Sequence, residues 1–300
     1  MHGHDQLEIE RPAGPRESAR PIAGPKSILV HLEGSDSVDV RLETALSLAR
    51  ASSAHLQCLH VTPMEAYVAL DTFGTVFVMD DVLKAIGEKE KVLEAAVADK
   101  LRHEDVSWDY VQVTGDIAIQ IVRHAALADL VVTGREPART DYIGPTLSFV
   151  GDLLRRLRTP LFIPAAGRPP ADPTAAAVIA WDGSYEAANA VRGAVPLLKL
   201  ASAVHVVQVT EDKDDAFPRT QLLEYLSRHG IHAEMSVERN DGKRPPHDFV
   251  SGALMARAQA VNAAYIVMGG YSHSRVGEYL FGGVTRTMLA ASPVPILISH

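Results

Sequence analysis

Ala264-Tyr265-Ile266-Val267-Met268-Gly269-Gly270-Tyr271-Ser272, then nine residues, then Gly282-Gly283-Val284-Thr285, with Pro295-Ile296-Leu297-Ile298 beyond, is the stretch that decides the fold. The run from Ala264 to Met268 is short and unbroken in its apolar character, as in a strand buried on both faces of a parallel sheet. Glycine just past the carboxyl end of such a strand lets main-chain N–H groups approach an anion with no Cβ in the way. Pro295 to Ile298 reads as a second short strand. Two readings of the glycines stand at this point: a phosphate cradle ahead of a helix, or a plain tight turn between strand and helix.

Working outward, the same unit is written twice. Ser27-Ile28-Leu29-Val30-His31-Leu32-Glu33-Gly34-Ser35 opens the first copy and Ala177-Val178-Ile179-Ala180-Trp181-Asp182-Gly183-Ser184 the second. Each is a strand ending in an acidic residue and Gly-Ser. Amphipathic helices are predicted next, over Val40–Ala51 and Glu186–Leu200, then strands over Leu56–Val61 and Val204–Val209. The copies diverge over Thr62–Ile86, where the second has only Glu211-Asp212-Lys213-Asp214-Asp215. They converge again: helices over Glu88–Arg102 and Pro218–His229 lead to strands around Trp108–Val113 and Ala233–Glu238. Asp116–Val122 begins a helix that feeds Asp129–Gly134, as Phe249–Val261 feeds Tyr265–Gly269. Strand and helix alternate throughout, which predicts an α/β fold of two tandem, doubly wound parallel sheets. The boundaries read as a disordered segment over 1–25, a first domain over 26–165, a Pro- and Gly-rich linker over 166–174 and a second domain over 175–300.

The 300 residues suffice for two cores. No apolar run reaches the roughly 18 residues of a membrane span. A net charge of -8 repels nucleic-acid phosphates, and Arg155-Arg156-Leu157-Arg158 lacks interleaved aromatics, so neither nucleic acid nor membrane is an expected partner. Cys58 is the single cysteine, so no internal disulfide forms, and the first residues lack the pattern of a secretory signal. A cytoplasmic location is expected.

The block from Ile266 to Ile298 resembles the signature of the universal stress protein family: Gly-x-x-Gly, nine residues, then Gly and Ser or Thr. Ser272 stands at the second glycine and Gly283 at the hydroxyl residue; the spacing is kept. The resemblance covers nearly the whole chain as a tandem pair. It implies a Rossmann-like fold of the adenine nucleotide alpha hydrolase type, and ATP or another adenine nucleotide, with magnesium as its companion, bound to the second copy. Asp182 would sit near the base with Val209 packing on it, Met268 and Gly269 would line the ribose, and Ser272, Gly282, Gly283, Val284 and Thr285 would surround the phosphates. Arg275 would lie within reach of a phosphate. The resemblance also implies that Pro160–Ile163 and Pro295–Ile298 pair edge to edge as an intramolecular pseudo-dimer; a further homodimer of whole chains is left open.

Laid over the second copy, the first has Pro137 at Ser272, Leu147 at Gly282 and Ser148 at Gly283. Proline offers no N–H and leucine adds bulk where backbone must meet phosphate, so the first site reads as degenerate. Glu33 replaces Asp182.

Plainer roles exist for each site residue: Asp182 as a helix cap or turn residue, Val209 and Met268 as core, Thr285 as a surface hydroxyl. Gly270-Tyr271-Ser272-His273-Ser274 falls one glycine short of a hydrolase elbow, and the histidines that follow are only its neighbour His273 and the terminal His300. Neither a P-loop nor a dinucleotide fingerprint is present. His2 with His4, and His229 with His232, lack further ligands at metal spacing. No residue is placed to activate water strongly, so the expected function is an adenine-nucleotide-binding signalling module rather than an enzyme, with ATP hydrolysis slow or absent. The rival is a nucleotide-free scaffold acting through protein contacts.

Overall fold

A computed structural model describes residues 23–33, 37–63, 79–135, 149–165, 170, 172–210, 220–240, 242, 245–270 and 282–300. The expectations at 1–22, Phe73-Gly74, Pro137, Leu147, Ser148, most of the linker, Glu211-Asp212, Ser272, His273 and Arg275 lie outside these residues.

In the first half the order is β1 (Ser27–Leu32), α1 (Ser37–Ser52), β2 (His55–Thr62), α2 (Met79–Leu101), β3 (Trp108–Thr114), α3 (Ile117–His124), β4 (Leu130–Val132), α4 (Phe149–Arg156) and β5 (Leu161–Ile163). The second half repeats it: β6 (Ala177–Trp181), α5 (Tyr185–Leu198), β7 (Val204–Thr210), α6 (Gln221–Arg228), β8 (Ala233–Arg239), α7 (Pro246–Ala260), β9 (Tyr265–Gly269), α8 (Gly283–Ala291) and β10 (Ile296–Ser299). α2 starts at Met79, well before the predicted Glu88, so the long divergent stretch of the first copy contributes two further helical turns.

The strands order as β3-β2-β1-β4-β5-β10-β9-β6-β7-β8. Pairing is parallel within each half, and one antiparallel junction joins the halves, with Ile163 opposite Ile296, Phe162 opposite Leu297 and Leu161 opposite Ile298. These six side chains are at most 3% exposed. Two edges that would otherwise present unpaired backbone are thereby removed, and each buried side chain contributes roughly 1.5–3 kcal/mol of apolar transfer. The Phe162 and Tyr265 rings add an edge contact between the halves at 5.9 Å.

The period-2 alternation of the strands sorts the helices into two layers. Ile28, Val30 and Leu32 face the core under α1, α2, α5 and α6, whereas Leu29 and Val131 face the one under α3, α4, α7 and α8. Local chemistry sets the helix starts: Asp116 Oδ1 accepts from Ile119 N at 2.8 Å to cap α3, and Ser184 Oγ accepts from Ala187 N at 3.1 Å to cap α5. Within each half the first strand is flanked on either side by strands reached in opposite directions, so strand order reverses between β6 and β9, as between β1 and β4.

Candidate functional site in the second half

The switch point between β6 and β9 carries the candidate site. Ile179 pairs with Val267, so β6 and β9 end side by side, with Asp182 just past one and Gly269 at the end of the other. A cleft of about 760 Å³, its open mouth included, lies at these carboxyl ends. That is room for a mononucleotide.

Of the residues expected to hold a ligand, Asp182, Val209, Met268, Gly269, Val284 and Thr285 line the cleft together. Gly282 and Gly283 sit beside it as the N-cap and first residue of α8, and Ser272 is outside the described residues. Asp182 is exposed, and its Oδ1 accepts from Ser184 N at 2.9 Å. The turn role is therefore real, while the cap of α5 belongs to Ser184. Met268 is 4% exposed and Thr285 5%, so both double as packing residues.

Gly269 acts chiefly through close packing. A Cβ there would stand 2.6 Å from Ala187 N and 2.7 Å from the carbonyl carbon of Glu186, so the glycine lets β9 abut the first turn of α5. Gly282 is the opposite case, with open space where its Cβ would be. Among the described residues nothing stands within 4 Å of a Cβ at 282.

Sequence reasoning missed the first turn of α5 and the cleft face of α7. Glu186, 6% exposed, sets a second carboxylate in the wall beside Asp182, and Val250 and Leu254 close the far side. The apolar spacing of α7 was readable as a core face; only the fold shows which end of it reaches the cleft.

In the first half a charged side chain takes the corresponding place. Arg41, which falls at Ala190 when Glu33 is laid on Asp182, is 3% exposed. Its Nη2 donates to Glu33 Oε2 at 3.0 Å and its Nη1 to the His31 carbonyl at 3.2 Å. A Cβ on Gly134 would lie 2.9 Å from the guanidinium carbon, so Arg41 covers the strand end that corresponds to Gly269. His31 beneath it is fully buried, 6.1 Å from the Phe149 ring, and burial, helped by the charge of Arg41, lowers its pKa to about 3.

Among the described residues no group of three or more His, Cys, Asp or Glu forms a metal site, and no helix is long and apolar enough to cross a membrane. Among solved structures, a universal stress protein from Archaeoglobus fulgidus DSM 4304 is similar with a TM-score of 0.68 at 18% identity, over 91% of this chain and 96% of that one. A functionally unknown protein from Pseudomonas aeruginosa PAO1 is similar with a TM-score of 0.60 at 18% identity, over 92% of each chain. No curated protein matches. The sequence pattern described as the universal stress protein family matches at residues 25–147 and again at 176–300, so the chain belongs to that family as a tandem, two-domain member.

Proposed function

We propose that the second half binds an adenine nucleotide and that the protein serves as a binding and signalling module of the stress response, without turning its ligand over. The cleft at the β6–β9 switch point carries this reading. Val207, Val209, Met268 and Leu254 offer an apolar wall for a base. Asp182 and Glu186 offer acceptors for ribose hydroxyls or the adenine amine. The first-turn N–H groups of α8 suit a phosphate. The described residues that line the cleft present the carboxylates of Asp182 and Glu186 and no lysine or arginine. A monophosphate fits this wall better than a free triphosphate; magnesium carried on the phosphates would supply the missing neutralisation.

Calorimetric titration of the full chain with AMP, cyclic AMP and ATP tests the reading. The expected result is a single site per chain, with AMP bound more tightly than metal-free ATP. Absence of heat at millimolar ligand, together with no nucleotide detected by mass spectrometry of gently purified protein, would overturn it.

For the first half the nucleotide-free reading is favoured. Arg41 and Glu33 form a buried pair over the corresponding strand ends, so this half supports its partner mechanically rather than by holding a ligand.

A further inference from the structure

Gly283 opens α8 where the family pattern has a hydroxyl, and its surroundings explain why. A Cβ at 283 would come within 2.8 Å of both Cβ and Cγ of His247. The volume that a serine or threonine side chain would need is taken by an imidazole from the neighbouring helix.

His247 lies in the first turn of α7, and Val250 and Leu254, three and seven residues on, share its helix face and form part of the cleft wall. The ring therefore stands at the rim of the cleft, about one turn above that wall, beside the start of α8. Its side chain is 45% exposed, and Nε2 is 3.4 Å from Asp248 Oδ1. That separation is long for a hydrogen bond, so the ring N–H keeps its capacity to donate elsewhere. Gly282, the N-cap of α8, provides no side-chain cap. The first-turn N–H groups of α8 and the imidazole thus border the same small region.

We propose that His247 replaces the missing hydroxyl and contacts the phosphate of a bound nucleoside monophosphate. This rests on the nucleotide reading above and adds a residue to it. Gly283 and His247 act as a pair: the glycine vacates the volume, and the histidine fills it with a donor from another element.

The test compares AMP with adenosine on the full chain and on His247→Ala and His247→Gln variants. His247→Ala is expected to weaken AMP about tenfold, the effect of losing one hydrogen bond to a charged group, and to leave adenosine within about twofold. His247→Gln, which keeps a donor, recovers most of the loss. An equal loss for both ligands, or AMP affinity unchanged by His247→Ala, overturns the proposal and leaves the nucleotide reading intact. Failure of the unaltered chain to bind either ligand sinks the nucleotide reading and this proposal with it. Should the alanine variant not fold, imidazole resonances of His247 in the unaltered chain decide: they shift with AMP and not with adenosine if the contact exists, and respond alike to both if it does not.

Discussion

Arg135 Nη1 donates a 2.9 Å hydrogen bond to the main-chain carbonyl of Ala290, tying the residue after Gly134 in the first half to the last turn of α8 in the second. Gly270 follows Gly269 as Arg135 follows Gly134. A Cβ at 270 would touch Leu154 of α4 at 3.0 Å and Ile298 at 3.1 Å. Each half thus sets the residue beyond its fourth strand against the last helix of the other half. The helix whose start borders the cleft has its end held by the other half.

A cation at a helix C-terminus is stabilising, and here burial strengthens the interaction while lowering the arginine pKa. Arg135→Ala is expected to lower the unfolding free energy by about 1 kcal/mol, and Arg135→Lys to recover part of it. Urea denaturation checks this. An unmoved midpoint for Arg135→Ala would show that the contact between the halves contributes nothing.

Gly269 and Gly282 separate packing from ligand room. Gly269→Ala places a methyl 2.6 Å from backbone, which cannot yield easily, and should cost about 1–3 kcal/mol of stability. Gly282→Val meets open space at a φ of -57°, so its effect on stability should stay within about 0.5 kcal/mol while nucleotide binding is lost. Denaturation and calorimetry on the two variants read this out. A Gly282→Val protein that binds AMP normally would place the phosphates elsewhere.

The tandem sheets were legible because their signals are local: apolar runs, Gly-Ser turns after acidic residues, and a period that changes between strand and helix. Asp182, Gly269 and Thr285 came to notice through the family resemblance, and the fold brings them to one cleft. Glu186 and Val250 did not, because they reach the cleft from helices that only the sheet topology brings there. Arg41 was equally hidden. On a helical wheel it reads as a charged residue among Leu42, Ala45 and Leu46, and only burial against Glu33 reveals what it covers.

Arg41 and Glu33 form a pair whose loss is asymmetric. Removing the arginine alone leaves the carboxylate at 12% exposure without its guanidinium, so Arg41→Met should cost about 3 kcal/mol. Arg41→Met combined with Glu33→Gln removes the charge as well and should recover most of that loss. The two effects then fail to add, as a double-mutant cycle would show. Additive values would mean that the 3.0 Å contact carries no coupling.

His31 makes the first half acid-sensitive. Its pKa is about 3 in the fold, against an ordinary 6.5, chiefly because burial disfavours the charged ring. Above pH 6.5 both folded and unfolded chains carry the neutral ring and His31 adds no pH dependence. As pH falls from 6.5 toward 3 the unfolded chain takes up a proton that the folded chain refuses, so stability drops by up to about 1.4 kcal/mol per pH unit from this group. His31→Leu removes the titrating ring and keeps apolar bulk beside Phe149, at 6.1 Å from the original ring centre. Unfolding free energies measured at pH 5 and pH 7 should therefore differ less in the variant, by up to about 2 kcal/mol after counting only the 1.5 units below 6.5. An unchanged difference would mean that the ring is protonated inside the fold, with Glu33, 3.5 Å from its Nδ1, as the partner holding the charge.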